Sequence, residues 1–494
     1  SDTQMVLPTD TVMYQSQEVA AVIADDRYIA ADAVEAVEVE YEPMQAVVDP
    51  FKSMQSDAPV LRTDKEGKTD NHIWHWETGD KDSTEKAFQN ADVVVKENVY
   101  LPRIHVASIE TCGCVASFEP AEGKLTVYMT TQAPHAIRTV VALVAGHVGL
   151  SEEKIRIISP DIGGGFGGKT DPFSHEVVIC KLSMLTGRPV KMTLTREEVF
   201  YCHRGRHPVL MWVRTGMKKN GSITAMHFRS YLDGGAYGSY GVASTYYTGA
   251  LQTVTYPIAN YKFEGLRVFT NKPPCGPKRG HGTPQPRFAV EVQLDKFAEE
   301  LGLSPADLRL KHLMQPNTRA INHLTVTTIG LKECIEKVSE ASQFNNRHGQ
   351  LPLGRGIGIA CSAYLTGAGL PIYWNKMPHS GVQMKIDRGG GVTVFCGSTD
   401  IGQGSDSVLA TIVAEEFAID PEQVIVVTAD TDLTPVDLGS YSSRVTLMTG
   451  NAAIEACRPL KEKLLSGAAE VFQCSPESLT LSEGRVVSLR DTSK

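Results

Sequence analysis

Four loops combine glycine or serine with polar side chains, and each is predicted to lie between a strand and a helix: residues 161–170, 278–283, 399–405 and 439–446. The start of a helix presents unpaired backbone N–H groups and the positive end of the helix dipole, and both favour phosphate. Glycine lets the backbone approach an anion closely because it lacks a Cβ atom. Four such loops predict a large ligand with several polar groups, such as a cofactor that contains a pyrophosphate.

The first loop also fits a different class of protein. Its segment GGGFGGKT, residues 163–170, satisfies the P-loop pattern G-x-x-x-x-G-K-[ST]. Lys169 would then reach the outer phosphates of ATP, and Thr170 would hold magnesium. Against this, Asp171 and Pro172 follow Thr170 at once, and a weak Walker-B candidate, VIVVTAD, lies about 260 residues away. A P-loop ATPase is the distant alternative, and a tight turn for strand–helix packing is the structural one.

The other loops offer further polar side chains, each with a structural alternative. Arg279 could orient a carbonyl or stabilise developing negative charge, or it could pair with a core carboxylate. His281 could titrate near neutral pH, or it could hydrogen-bond within its loop. Six residues stand near the two later helix starts, where anion binding and capping are both open: Gln403, Ser405, Ser442, Ser443, Arg444 and Thr446. By sequence alone, Gln132 is a turn residue.

Composition excludes several other classes. The chain has 494 residues, 42% of them hydrophobic and 21% charged, which is typical of a globular protein with more than one domain. A net charge of -9 without a basic stripe argues against nucleic-acid binding. The sequence has no apolar run of the roughly 20 residues that span a bilayer, and its start is unlike a signal peptide. Ten scattered cysteines indicate reduced thiols and a cytoplasmic location, with no cluster for iron–sulfur binding.

Periodicity predicts a mixed α/β architecture. A strand–helix–strand unit is expected over 12–50, then a polar surface linker over 51–90. Strands are predicted at 92–100, 113–120, 124–131, 154–159, 222–232, 265–271, 391–400 and 423–430, and helices at 135–150, 405–419 and 452–472. A further helix follows residue 283 and is expected to turn Phe288, Leu294, Phe297 and Leu301 to one side. A new unit is expected to begin after about residue 330.

Taken in order, these segments resemble the xanthine dehydrogenase/molybdenum hydroxylase family. The resemblance runs from residues 12–24 and 41–50 through IGGGFGGK and RGHGT to DIGQGS and GSYSSRVT. It implies a multi-domain molybdopterin-binding subunit: the C-terminal part of a small hammerhead-like domain at 1–60, one molybdopterin-binding domain at 61–330 and an incomplete second one at 331–494. In this family the glycine loop lies over the molybdenum end of the pterin, which argues against ATP.

Within the family, the resemblance is closest to the large subunits of 4-hydroxybenzoyl-CoA reductases. DPFSHE, HRGR, GGAYGSYG, YYTGAL and PPCGPKRGHGT carry it. It implies reductive dehydroxylation of 4-hydroxybenzoyl-CoA or a related aromatic acyl-CoA. The alternative is oxidative hydroxylation of an aldehyde, an N-heterocycle or another small molecule. Carbon monoxide dehydrogenases carry a copper-binding cysteine where this chain has Gly280, and purine hydroxylases carry a glutamate where it has Thr170.

The resemblance also implies roles for single residues. Gln132 would hydrogen-bond a terminal ligand of the molybdenum, and Gly165, Phe166 and Gly167 would lie around the metal. Arg279 would face the substrate and border the cofactor, and Tyr247 would be a substrate-facing acid or hydrogen-bond donor. Seven residues would bind the pterin and its phosphate: Gly402, Gln403, Gly404, Ser405, Ser442, Ser443 and Arg444. No side chain would ligate the metal, because the pterin dithiolene holds it.

Cofactors and partners follow from the same resemblance. The expected cofactor is molybdopterin in its cytosine dinucleotide form with molybdenum. Iron–sulfur clusters, and FAD where a flavin subunit is present, would lie on partner subunits of a dimerised hetero-oligomer. The substrate would be a small aromatic molecule, as a CoA thioester. The family's catalytic glutamate has no counterpart after Arg444, so we expect further residues or a partner chain to supply it.

Overall fold

The chain folds into packed helices and sheets, which confirms the mixed α/β prediction. The computed structural model describes residues 4–145, 150–239, 241–321, 325–367 and 380–490. Within these ranges, a five-stranded, a four-stranded and a three-stranded sheet carry most of the packed helices, beside three short two-stranded pairs. No helix in the described part of the chain has the length and apolarity needed to cross a membrane.

The helices are α1 (Arg27–Glu35), α2 (Pro50–Ser53), α3 (Lys81–Phe88), α4 (Pro134–Ala145), α5 (Ser174–Thr186), α6 (Arg196–Cys202), α7 (Gly241–Ala250), α8 (Gln252–Thr255), α9 (Pro284–Leu301), α10 (Pro305–Lys311), α11 (Leu331–Ser342), α12 (Phe344–Arg347), α13 (Ser405–Phe417) and α14 (Gly450–Phe472). The strands are β1 (His72–Gly79), β2 (Val93–Leu101), β3 (Ile104–His105), β4 (Gly113–Glu119), β5 (Lys124–Met129), β6 (Ile155–Ile158), β7 (Val190–Thr193), β8 (Gly205–Arg206), β9 (Val209–Met217), β10 (Ile223–Asp233), β11 (Tyr261–Val268), β12 (Thr318–Arg319), β13 (Thr325–Val326), β14 (Val382–Ile386), β15 (Val392–Cys396), β16 (Val424–Thr428), β17 (Leu479–Ser482) and β18 (Arg485–Ser488). These bounds confirm the strands and helices predicted from residue 92 onward, as far as the described residues reach; residues 146–149 of the helix predicted at 135–150 lie outside them.

The five-stranded sheet builds the largest core. Its order is β1-β11-β10-β9-β2, with β10 and β11 parallel and the other neighbours antiparallel. Alternate residues of β9, including Met211 and Val213, point into a core that also holds Phe228, Phe263 and Phe297. Helix α9 packs across β2 and β9, and α7 packs on β1 and β11. This packing fixes the loop 278–283, which leads into α9.

The four-stranded and three-stranded sheets meet where the three other strand–loop–helix units lie. The first has the order β6-β5-β4-β7 and the second the order β14-β15-β16. The Ser159 N–H donates to the Ala429 carbonyl at 2.9 Å, and the Arg156 Nε donates to Asp430 Oδ1 at 3.0 Å. The chain segments that leave β6 and β16 therefore lie side by side, although they are far apart in the sequence.

Two expectations for the first ninety residues are wrong. Helix α1 forms, but the flanking strands predicted within 12–50 do not; Val37 and Val39, at 40% and 44% exposed, have no neighbouring strand in the described residues. An alternating sequence becomes a strand only where a partner accepts its hydrogen bonds. The linker predicted at 51–90 contains β1 and α3, and Phe88 of α3 is buried. The strand β1 was not predicted because this segment is polar and charged and because its partner, β11, lies far along the chain.

The apolar face of α9 also differs from its prediction. Leu294 and Phe297 are buried, but Phe288 is 49% exposed. Six residues separate Phe288 from Leu294, and at ~3.6 residues per turn this spacing turns Phe288 about 120° away from the buried face. The predicted helix is confirmed, but the prediction that Phe288 faces the core is wrong.

Candidate functional site

The predicted loops converge on one cavity with a volume of about 740 Å³. Eleven of the residues to which the family resemblance gives a role line it: Gln132, Phe166, Gly167, Tyr247, Arg279, Gly402, Gln403, Ser405, Ser442, Ser443 and Arg444. Gly165 and Gly404 lie in the same loops, behind the lining. The cavity joins loops from all three large sheets, so a single ligand could contact every one of these loops.

Gln132 ties two of these loops together. Its Nε2 donates to the Ser440 carbonyl at 2.7 Å, and its Oε1 accepts from the Gly167 N–H at 2.8 Å. Its backbone pairs with Lys169 and Ser440 in the same way, at 2.8 Å each. A glutamine amide has two N–H donors, so one remains for a ligand in the cavity. Gln132 can therefore position the loops and still donate to a bound group.

The glycine loop needs its glycines for close contact. A Cβ atom on Gly165 would lie 2.5 Å from Gln132 Oε1, and one on Gly167 would lie 3.0 Å from the Pro277 carbonyl carbon. Between them, Phe166 has a φ of 51°, which non-glycine residues rarely adopt. Its carbonyl accepts from the Arg279 N–H at 2.9 Å. The glycine loop is thus held directly against the loop 278–283, with the Phe166 ring 42% exposed beside the cavity.

The P-loop interpretation is wrong. The side chain of Lys169 is 1% exposed, and its Nζ forms an ion pair with Glu110 Oε2 at 2.8 Å. Glu110 Oε2 also accepts from the Gly163 N–H at 2.9 Å, so it clamps both ends of the loop. Helix α5 begins at Ser174, four residues after Thr170, so no helix start follows the lysine directly. Lys169 is therefore a positioning residue beneath the loop.

The change Lys169→Met should lower the free energy of unfolding by about 2 kcal/mol, because it breaks a charged hydrogen bond that is buried at one end. Urea denaturation of the variant, beside Lys463→Met on the exposed face of α14, measures this. We expect neither the wild-type protein nor the variant to hydrolyse ATP. ATP turnover by the wild type that disappears in Lys169→Met would restore the P-loop interpretation.

The loop 278–283 is fixed from below by helix α7, which the sequence analysis did not predict. The Thr248 hydroxyl donates to the Gly282 carbonyl at 3.0 Å, and a Cβ on Gly282 would lie 2.8 Å from Tyr247 Cβ. The Tyr247 ring lies edge-on to His281 at 6.2 Å and to Tyr364 at 6.3 Å. Burial raises the pKa of Tyr247, so its phenol stays protonated. Of the two roles predicted for Tyr247, this favours the hydrogen-bond donor over the acid.

The loop 399–405 already contains its own anion. The carboxylate of Asp400 accepts from the N–H groups of Gly402 at 2.9 Å, Gly404 at 3.2 Å and Asp406 at 3.2 Å. Gly402 and Gly404 have φ values of 96° and 75°, which point these groups inward. The start of α13 is thus occupied by a capping carboxylate. Phosphate binding by these two N–H groups stays a prediction that would require Asp400 to be displaced.

Asp406 gives this end of the cavity a pH dependence. Burial, and then the carboxylates of Asp400 and Asp161, raise its pKa to about 6. The folded protein therefore binds more protons than the unfolded chain between pH ~4 and ~6, and stability falls as the pH rises through that window. We expect a loss of roughly 1 kcal/mol, since the group is partly screened by solvent. Urea midpoints at pH 4.5 and 7.5 measure this loss of stability, which should be smaller in Asp406→Asn than in the wild type. An equal loss in the two proteins would contradict the assignment to Asp406.

The fourth loop contains the most deeply buried charges of the site. Arg444 and Asp437 are 0% exposed and form an ion pair at 2.6 Å. Arg444 also donates to the Gly439 carbonyl at 2.7 Å. Ser442 and Ser443 have positive φ values of 49° and 52°, and a π-helical turn, Val445–Thr449, follows them before α14. Strained backbone and π-helical turns concentrate at functional sites. The guanidinium of Arg444 holds this loop, and its direct contact with a cofactor stays a prediction.

The residues fit a polar cofactor. Thr170 lines the cavity, and its buried hydroxyl has no hydrogen-bond partner among the described residues, a state that a bound group would relieve. The described residues contain no group of three His, Cys, Asp or Glu side chains that could hold a metal ion. Sequence reasoning gave no role to two tyrosines that also line the cavity. Tyr364 stands in no recognised motif, and Tyr441 lies within GSYSSRVT.

Known protein families match nearly the whole chain. Molybdopterin cofactor-binding domains match residues 64–313 and 332–494, and the a/b hammerhead domain of aldehyde oxidase and xanthine dehydrogenase matches residues 1–45. The chain is 35% identical to the carbon monoxide dehydrogenase large chain of Afipia carboxidovorans, over 96% of this chain and 62% of that one. It is 29% identical to a xanthine dehydrogenase molybdenum-binding subunit of Escherichia coli O157:H7, over 97% and 63%.

Solved structures agree. Carbon monoxide dehydrogenase from Oligotropha carboxidovorans superposes with a TM-score of 0.89 at 32% identity, over 99% of this chain and 65% of that one. Quinoline 2-oxidoreductase from Pseudomonas putida 86 superposes with a TM-score of 0.90 at 26% identity, over 98% and 63%. The chain spans less than two thirds of the length of each of these proteins. With the geometry of the cavity, these matches establish that the chain belongs to the xanthine dehydrogenase family, as a molybdopterin-binding chain with the fold of its large subunits.

Proposed function

We propose that this chain holds molybdopterin with molybdenum in an oxidoreductase that hydroxylates a small organic molecule. The observation that carries the proposal is the convergence of separate polar loops on one cavity that also contains an unpartnered buried hydroxyl. Replacing a substrate C–H bond by C–OH with water releases two electrons and two protons. The electrons would pass to an iron–sulfur subunit, and from there to a flavin subunit or another acceptor. We further propose the cytosine dinucleotide form of the cofactor, a cytoplasmic location and a dimerised hetero-oligomer.

The chain's own residues would prepare this reaction. When bound, the molybdenum–pterin supplies the oxygen-transfer and electron-accepting chemistry. The free amide N–H of Gln132 and the hydroxyl of Thr170 donate to the bound group. Arg279 orients a substrate carbonyl or ring nitrogen, and Tyr247 donates from a neutral phenol. Phe166 covers the site and excludes water.

Oxidation of an aldehyde or an N-heterocycle is supported better than the alternatives. In the described residues no cysteine lines the cavity; Cys275 is 1% exposed and lies 3.5 Å from an Arg103 nitrogen, so a thiolate-bound copper has no ligand there. Thr170 lacks the carboxylate that purine hydroxylases carry at its position. Relatives named for carbon monoxide, xanthine and quinoline support oxidation over reductive dehydroxylation of an aromatic acyl-CoA, and closeness to 4-hydroxybenzoyl-CoA reductases stays a prediction.

Molybdenum analysis and turnover test the proposal. The full-length gene product is purified with its co-purifying subunits, and molybdenum is measured by plasma emission spectroscopy. Dye reduction is then followed with benzaldehyde, quinoline, carbon monoxide and xanthine, and release of benzoyl-CoA is followed with 4-hydroxybenzoyl-CoA and a reductant. We expect near-stoichiometric molybdenum and turnover of the aldehyde or the heterocycle. An active enzyme without molybdenum contradicts the cofactor, and benzoyl-CoA release contradicts the reaction direction.

A further inference from the structure

The floor of the cavity carries positive charge that no acidic side chain in the described part of the chain compensates. Lys278 and Arg279 line it side by side, and Arg206 lies directly beneath them. None of the three forms an ion pair with an acidic side chain in the described part of the chain, and residues 368–379, which follow the cavity residue Tyr364, contain no aspartate or glutamate in their sequence. Cations are seldom left together in this way unless a ligand supplies the negative charge.

Arg206 makes this arrangement costly for the protein alone. Its side chain is 4% exposed, and among the described residues its guanidinium donates only to neutral oxygens, namely the backbone carbonyls of Arg279 and Gly280 and the Gln285 amide. Within the same residues, its buried Nε has no partner. Burial lowers the pKa of Arg206 to about 10, and burial together with Arg206 and Arg279 lowers the pKa of Lys278. An anion in the cavity would relieve the repulsion that these three charges share.

The anion that fits this loop is a carboxylate rather than a phosphate. Phosphate sites at helix starts use backbone N–H groups, but α9 begins with Pro284 and has a second proline at Pro286, and proline has no N–H. The donors here are a guanidinium and an ammonium group on side chains. A guanidinium can pair with either anion through two N–H groups, so the preference for a carboxylate rests on the two prolines, which reduce the number of backbone N–H groups at the start of α9.

The remaining wall of the cavity is aromatic. Five aromatic side chains line it: Phe166, Tyr247, His281, Tyr364 and Tyr441. The Tyr247 ring lies edge-on to the rings of His281 and Tyr364. Aromatic side chains in a half-buried pocket favour a flat ring, which gains edge and face contacts as well as burial. The cavity thus pairs an aromatic wall with a positively charged floor.

We propose that the substrate is a planar aromatic or heteroaromatic molecule that bears a carboxylate, with its ring against Tyr247 and Tyr364 and its carboxylate against Lys278 and Arg279. This deepens the proposed function and rests on it. It makes Lys278, which lies in PPCGPKRGHGT but received no role in the sequence analysis, a residue that determines specificity. The neutral aldehyde and heterocycle of the general proposal would then be poorer substrates than their acid-bearing counterparts.

Binding of matched small probes tests this proposal. Benzoate, benzamide, acetate and inorganic phosphate are titrated calorimetrically into the molybdenum-loaded complex at low ionic strength, where charge interactions are least screened. We expect benzoate to bind at least tenfold more tightly than benzamide or acetate and to compete with the substrate. In Lys278→Gln we expect about a tenfold loss of benzoate affinity and less than a twofold change for benzamide. Lys463→Gln, which changes an exposed lysine of α14, should match the wild type.

Three outcomes would overturn the proposal. Equal affinities for benzoate and benzamide would show that the floor does not select an anion. Equal weakening of both probes in Lys278→Gln would reduce the lysine to a packing role. Displacement of benzoate by inorganic phosphate, or loss of molybdenum in Lys278→Gln, would assign the charges to a cofactor phosphate. Molybdenum in the wild type is measured separately from probe binding. Absence of molybdenum would contradict the proposed function, whereas the probe affinities test the carboxylate proposal independently.

Discussion

The change Gln132→Ala is expected to lower the free energy of unfolding by about 4 kcal/mol and to abolish molybdenum retention. It leaves the Ser440 carbonyl and the Gly167 N–H without their side-chain partners, and each buried orphan costs roughly 1–3 kcal/mol. It also removes the close packing of the Gln132 side chain against Gly165. The measurements are the urea midpoint and the molybdenum content of the purified complex, with the exposed Gln350→Ala as the matched control.

A second variant at the same position separates the two roles of Gln132. Gln132→Glu keeps an acceptor for the Gly167 N–H but loses the donor to Ser440, and it places a negative charge toward the cavity. We expect it to lose about half as much stability as Gln132→Ala and to retain no more molybdenum. If Gln132→Ala instead kept its full molybdenum content, the loops would not depend on this amide and the site description would fail.

Local signals in the sequence were enough to find the loops. Glycine at Gly402 and Gly404 does coincide with positive φ, and the strand and helix periods on either side of each loop were read correctly. Their convergence depends on long-range pairing between sheets, such as the contact of Ser159 with Ala429, and no local pattern encodes it. The number of such loops predicts one large ligand, and the order of the motifs, through the family resemblance, indicates which ligand it is.

The errors have a common physical cause, which is that partners lie far away in the sequence. The helix α7 was missed because GVASTYYTGA is rich in small and β-branched residues, and its stability comes from packing on β1 and β11. The sequence could not show that Lys169, which matches an ATP-binding pattern, is paired within the protein, because its partner Glu110 lies 59 residues before it. Asp400 is a different, local case, because the sequence does not reveal that its carboxylate caps three N–H groups, and phosphate binding by residues 399–405 stays a prediction.

The change Arg444→Met is expected to cost about 3–5 kcal/mol, because it leaves the carboxylate of Asp437 buried and unpaired. The double variant Asp437→Asn with Arg444→Met removes both charges, and its asparagine oxygen can still accept from the Gly439 N–H, as Asp437 does at 2.7 Å. We expect the double variant to recover about 2 kcal/mol relative to Arg444→Met. Urea midpoints of the wild type, Arg444→Met and the double variant measure this recovery.

Molybdenum content in the same three proteins decides what Arg444 does. If its guanidinium holds the loop 439–446, the double variant should recover molybdenum together with stability, because the loop is restored without the charge. If its guanidinium instead binds a cofactor phosphate, the double variant should regain stability and still lack molybdenum. The ion pair at 2.6 Å and the bond to the Gly439 carbonyl favour the first outcome, since both point the guanidinium into the protein and toward its own loop. Recovery of stability without molybdenum would therefore overturn the positioning role given to Arg444.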